Sequence, residues 1–172
     1  MSSMEKTKKM TLLANLLAIA IVLNIIEAAI PIIPVPGAKI GFANIITLIV
    51  LYMYSFKDAL GLTIARVILV SVLSGRLLGP TFALSFSGAV VSTFAMGLLK
   101  KTNFFGILGV SVLGSIFHAF GQIMAAIFVL ETTAVALYLP VMLFVSVPAG
   151  VLTGIITTKF YAIWLSWQNT QR

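Results

Sequence analysis

The sequence predicts an all-α integral membrane protein, a single bundle of six transmembrane helices with both termini in the cytoplasm. Composition is the first reason. The 172 residues are 60% apolar and 9% charged, whereas soluble domains run roughly 45–50% apolar and about 25% charged. Six apolar runs separated by short turns are the second. The third is charge placement. Alternating sides through six spans puts Lys6, Lys8, Lys9, Lys57, Lys100, Lys101, Lys159 and Arg172 on one side. Lys39 and Arg76 fall on the other, and Arg66 lies inside a span. Cytoplasmic loops carry the Lys/Arg excess, which sets the orientation. The net charge of +7 is therefore read as a topology signal and not as a nucleic-acid footprint.

The first helix is expected over about residues 10–30. Met1 to Met10 is short, polar and basic. The apolar run behind it is too long for a signal-peptide core, so this segment reads as a cytoplasmic lead-in. Pro31, Pro34 and Pro36 follow, with Gly37 and Lys39. Proline fixes φ and removes backbone donors, so a stiff, non-helical outer loop is expected. The second helix, about residues 40–54, is short for a core that needs about 20 residues. Ser55-Phe56-Lys57-Asp58 is an inner turn, and the third helix covers about residues 59–74. Gly75 to Pro80 forms an outer turn before a fourth helix over about residues 81–99. Lys100-Lys101-Thr102-Asn103 is the next inner turn, and the fifth helix covers about residues 104–130. Glu131-Thr132-Thr133 is the last outer turn. The sixth helix covers about residues 134–164, with Pro140 and Pro148 expected to kink or break it. Tyr161, Trp164 and Trp167 suit an inner aromatic belt.

Polar side chains inside a membrane are expensive and point to function. Helix direction gives each a depth. Asn24 and Glu27 belong to the outer third of the first helix, and Asn44 lies about one turn below the outer surface on the second. Arg66 falls near mid-membrane and Arg76 at the outer edge. His118 and Gln122, four residues apart, share a helix face. Glu27, Lys39, Asn44, Arg66, Arg76, His118 and Gln122 thus form the candidate substrate-binding set, an outward-facing pocket whose excess of cations favours an anionic ligand. Arg66 costs about 2.5–3.5 kcal/mol at a helix centre and must be paired or hydrated. It either pairs structurally, with Glu27 or with helix carbonyls, or meets a ligand. His118, Asn44 and Gln122 are ligand contacts or interhelical hydrogen bonds. Lys39 and Arg76 are ligand or headgroup contacts. Ala14-x-x-x-Ala18 and Gly150-x-x-x-Gly154 permit close helix approach, with internal packing as the default.

The absences exclude whole classes. There is no Gly-x-x-x-x-Gly-Lys-Ser/Thr loop for nucleotide phosphates. The single aspartate, Asp58, cannot build a carboxylate-clustered magnesium site. One histidine and no cysteine leave no zinc motif. Neither catalysis nor a cofactor or metal is expected.

Pro36-Gly37-Ala38-Lys39-Ile40-Gly41-Phe42-Ala43-Asn44 resembles the signature of the Gx transporter family, also called heptaprenyl diphosphate synthase component I. Ala65-Arg66-Val67, Gly75-Arg76-Leu77-Leu78-Gly79, Ser85-Phe86-Ser87-Gly88 and the stretch from Gly114 through His118 to Gln122 extend the likeness over nearly the whole chain. That family is similar to the substrate-binding S components of energy-coupling factor transporters. The resemblance implies a six-helix bundle in a bacterial plasma membrane, with the Pro31–Lys39 loop as a lid over an outer site. It implies docking through Ala14 and Ala18 onto a transmembrane coupling subunit driven by two cytoplasmic ATPases. The ligand would be a small vitamin-like molecule, flavin-related or an isoprenoid or quinone precursor. The second family name implies an alternative: a non-catalytic membrane scaffold or accessory subunit of an isoprenoid diphosphate or redox enzyme system.

Overall fold

The computed structural model describes residues 3–29 and 42–170. Its elements are six helices: α1 (Ser3–Ala29), α2 (Phe42–Met53), α3 (Phe56–Leu73), α4 (Pro80–Lys101), α5 (Ile107–Leu130) and α6 (Leu139–Thr170). A 3₁₀ segment, Thr133–Tyr138, joins α5 to α6. Among the described residues, four stretches are long and apolar enough to cross a membrane: Ser3–Glu27, Pro80–Lys101, Ile107–Leu130 and Thr133–Thr170. α2 is shorter, and α3 contains Lys57, Asp58 and Arg66. The Pro31–Lys39 loop and Arg172 lie outside the described residues.

The largest differences from the expected boundaries lie at the start of α1 and at both ends of α6, which runs to Thr170 where the sequence predicts an end near residue 164. α1 begins at Ser3 and takes in the basic segment that precedes the apolar run. Glu5 in its first turn suits the positive end of the helix dipole. The sixth helix does not start as α: the chain passes through the 3₁₀ segment first. Pro140 then occupies the first turn of α6, where no backbone donor is needed. Pro148 lies inside α6, which nevertheless continues to Thr170.

α2 is the central element. It touches α1, α3, α4 and α6, and every residue from Asn44 to Leu51 is buried. Its mostly apolar sequence suits such a position, and its two polar residues, Asn44 and Thr47, lie within one turn of each other. α5 packs between α4 and α6. Gly150 and Gly154 face α5 so closely that a Cβ on Gly150 would lie 2.7 Å from Val112 Cα, and one on Gly154 3.0 Å from Leu108 Cα. This pair is internal packing. Large apolar side chains such as Phe128, Phe144 and Ile163 are exposed, as expected of helices that face lipid tails.

The turns gather as the charge alternation requires. Lys9 of α1 bonds Asp58 at 2.7 Å, and Lys100 of α4 donates to the Leu51 carbonyl of α2 at 2.6 Å. Tyr52 meets Tyr161 of α6 edge-on at 5.8 Å. The start of α1, the α2–α3 turn and the far ends of α4 and α6 thus share one basic end. Ser55 caps α3 by accepting from the Asp58 amide at 3.2 Å, the local reason that α3 starts where it does.

Candidate functional site

Away from the basic end, the bundle buries a cluster of polar side chains. Asn24 and Glu27, three residues apart, occupy one face of α1 near its end. Asn44 opens α2, Arg66 lies on α3, Ser85 on α4 and His118 on α5. These six side chains, with Val67, line a cavity of about 20 Å³. All but Ser85 are buried among the polar groups of the core. Arg66 is 3% exposed. Its guanidinium donates to Asn44 Oδ1 at 3.5 Å, and Glu27 is the opposite charge that acts on it. The cluster therefore contains one cation and one anion whose fields answer each other.

Below this cluster runs a chain of hydroxyls. Thr47 and Thr63 lie 3.1 Å apart, and Thr63 and Thr93 lie 3.2 Å apart. Thr93 donates to its own helix at Ala89 O, 2.8 Å away. A hydroxyl has one proton, so Thr93 accepts from Thr63 and Thr63 accepts from Thr47. The three threonines are all fully buried and tie α2, α3 and α4 together beneath the arginine.

His118 and Gln122 share a face of α5, as their spacing predicts. Gly88 of α4 makes room for them. A Cβ there would lie 2.6 Å from Gln122 Cγ and 2.9 Å from the His118 carbonyl. His118 faces the polar cavity, while Gln122 lines a second cavity of about 230 Å³ bounded by α4, α5, the 3₁₀ segment and α6. Leu84 and Ser85, adjacent on α4, divide in the same way between the two cavities.

Of the seven candidate side chains, Glu27, Asn44, Arg66 and His118 come together, and Gln122 stands one helical turn away. Arg76 does not join them. It is exposed in the α3–α4 turn, its amide bonded to Ser71 O at 2.9 Å, and it lines neither cavity. Gly75 before it and Leu78 after it in the turn both adopt positive φ. Lys39 lies outside the described residues. Sequence reasoning passed over Asn24 and Ser85 as site residues, although the i, i+3 spacing of Asn24 and Glu27 is a readable signal. It also missed the second cavity, whose apolar walls look like ordinary core. Ala14 and Ala18 are both exposed on α1. Ala14 borders a groove with Gly61 and Ala65 of α3. Among the described residues no group of acidic, histidine or cysteine side chains could hold a metal ion.

Buried polar groups within apolar helices define a multi-pass membrane protein with an internal polar site. A family model described as heptaprenyl diphosphate synthase component I matches residues 16–160, and the chain belongs to that family. The description marks its members as components that work with other subunits. No curated protein and no solved structure matches the chain.

Proposed function

We propose that the chain is the substrate-binding, S-component-like subunit of an energy-coupling factor type transporter. It spans a bacterial plasma membrane six times, keeps both termini in the cytoplasm and captures a small vitamin-like molecule from outside. It is not an enzyme; ATP is hydrolysed by two cytoplasmic ATPases acting through a transmembrane coupling subunit. The observation that carries this reading is the buried cluster of Asn24, Glu27, Asn44, Arg66, Ser85 and His118 in the half of the bundle away from the basic end. Structural adhesion does not need so many different polar groups at one depth, beside a second cavity of ligand size. Ala14 and Ala18 support the docking part, because both are small and exposed on α1.

The family description favours a second reading, a non-catalytic accessory subunit that anchors an isoprenoid diphosphate enzyme at the membrane. One experiment separates the two. The tagged chain is purified from native membranes in mild detergent, and its companions are identified by mass spectrometry. Co-purification of a coupling subunit with two ATPases, lost in Ala14→Leu/Ala18→Leu while the bundle stays folded, is the expected result. A prenyltransferase recovered without any ATPase would establish the accessory role instead.

A further inference from the structure

The second cavity, about 230 Å³, has a floor on α5 and two walls of unlike firmness. The start of α4 makes one wall. Val135 and Tyr138 of the 3₁₀ segment, with Met142 of α6, make the other. That second wall is lightly held. From Glu131 to Pro148, Met142 is the one buried side chain, seated against Ala119 and Ile123 of α5. Beyond Pro148 the same helix is locked. Ala149, Gly150, Thr153, Gly154 and Thr157 are buried, and Ser111 Oγ of α5 donates to the Gly150 carbonyl at 2.7 Å. Gly150 and Gly154 lie so close to the α5 backbone that no Cβ fits at Gly150. Pro148 stands where the two parts of α6 meet. Proline has no amide hydrogen, so it gives the Phe144 carbonyl no helical bond. Sharp bends in helices are found at such positions. Two residues earlier, Ser146 Oγ donates to Met142 O at 2.6 Å, a back-bond that itself favours bending. At the other end of the wall, Glu131 closes α5 at a φ of 51°, a region that residues other than glycine rarely occupy. The chain then runs on as a 3₁₀ segment, whose hydrogen bonds have poorer geometry than those of an α-helix. The lightly held wall thus lies between two places where the backbone is weakly fixed.

We propose that residues 131–147 form a gate to this cavity. The 3₁₀ segment and the first part of α6 swing about Pro148, while the rest of α6 stays fixed on α5. The swing moves Val135, Tyr138 and Met142 away from the floor and opens the cavity. This goes beyond the substrate-capture reading and does not depend on it, because the motion belongs to the chain alone.

The test uses the full chain in phosphatidylcholine nanodiscs. The sequence has no cysteine, so pairs of introduced thiols take spin labels cleanly. Leu98 on α4, Leu137 in the 3₁₀ segment and Ile155 on the fixed part of α6 are all exposed. Leu98→Cys/Leu137→Cys reads the gate, and Leu98→Cys/Ile155→Cys reads the fixed part from the same anchor. Pulsed electron paramagnetic resonance should give the gate pair a distance distribution at least about twofold wider than that of the fixed pair. Pro148→Ala supplies the missing amide donor and should narrow the gate pair to the width of the fixed pair. Pro148→Leu supplies the same donor and guards against misfolding of the first variant. Met142→Cys, inside the cavity, should react with N-ethylmaleimide at a rate set by opening, at least about threefold slower once Pro148→Ala is added. The proposal is overturned if the gate pair is no wider than the fixed pair, or if its width survives both proline replacements. An unchanged maleimide rate would overturn it too, since the motion would then not open the cavity. Should the gate fail while the coupling subunit and ATPases co-purify, the transporter reading stands without it. Should the gate move as expected while no such module co-purifies, the gate stands and the transporter reading falls.

Discussion

Arg66 poses the sharpest question at the scale of one residue, because a buried guanidinium among apolar helices needs an answering charge. The geometry gives it Asn44 as a hydrogen-bond acceptor and Glu27 as the opposite charge. Removing one member of such a pair leaves the other buried and uncompensated, which costs more than removing both. Arg66→Gln and Glu27→Gln are therefore expected to be less destabilising together than the sum of the two alone. The coupling should lie at about 0.5–3 kcal/mol, read from thermal unfolding in detergent. Strict additivity would show that Arg66 answers to something other than Glu27. Residue by residue, the cluster was largely legible: intramembrane polar groups are rare, and helix direction assigns their depth. The apolar side chains of the second cavity were not, because a leucine lining a cavity and a leucine filling a core look alike in a sequence. Arg76 was assigned to the pocket from depth alone, and depth does not tell which way a turn points.

Among elements, α2 depends on its neighbours more than on its own length. The hydroxyl chain Thr47–Thr63–Thr93 joins it to α3 and α4. Interhelical side-chain hydrogen bonds in membranes average about 0.6 kcal/mol, with values to about 1.7. Thr63→Val keeps the shape but loses two of them, so a loss of about 1–3 kcal/mol in unfolding stability is expected, with Thr63→Ser close to wild type. At the basic end, Asp58 binds Lys9 and caps α3 through Ser55. Burial alone would raise the Asp58 pKa, but the hydrogen bonds from Lys9 and Ser55 outweigh it and hold the carboxyl below its ordinary value of 3.8. A carboxyl whose folded pKa is lowered stabilises the fold above its unfolded pKa and loses that contribution as pH falls through the folded one. The stability gap between wild type and Asp58→Asn should thus be present at neutral pH, at no more than about 1 kcal/mol for a pair near the surface. It should close at acid pH. A gap that persists below the carboxylate range would assign the stabilisation to shape and not to charge. The sequence showed which side Lys9 and Asp58 share. Their pairing depends on how α1 is rotated against the α2–α3 turn, and a composition pattern contains no rotation.

For the whole molecule, charge is the main source of orientation. Lys9, Asp58 and Lys100 gather at one end because α1, α2, α3 and α4 run antiparallel in turn, the arrangement that the alternation of apolar runs predicts. Exposed lipid-facing side chains do not distinguish one side of a membrane from the other, so the Lys/Arg excess decides. The chain has no cysteine, which makes single introduced thiols clean reporters. Arg76→Cys in the α3–α4 turn and Glu131→Cys after α5 are both exposed and away from the basic end. They should react with a membrane-impermeant maleimide added to intact cells. Thr102→Cys, exposed in the α4–α5 turn beside Lys100 and Lys101, should react only after the cells are opened. The opposite pattern would place the polar cluster in the cytoplasmic half, where a capture site for external molecules has no use. Labelling of all three in intact cells would mean that the α4–α5 turn also reaches the outside, and the six-span topology would then need to be redrawn around α2 and α3, the two helices that are not both long and apolar enough to cross on their own.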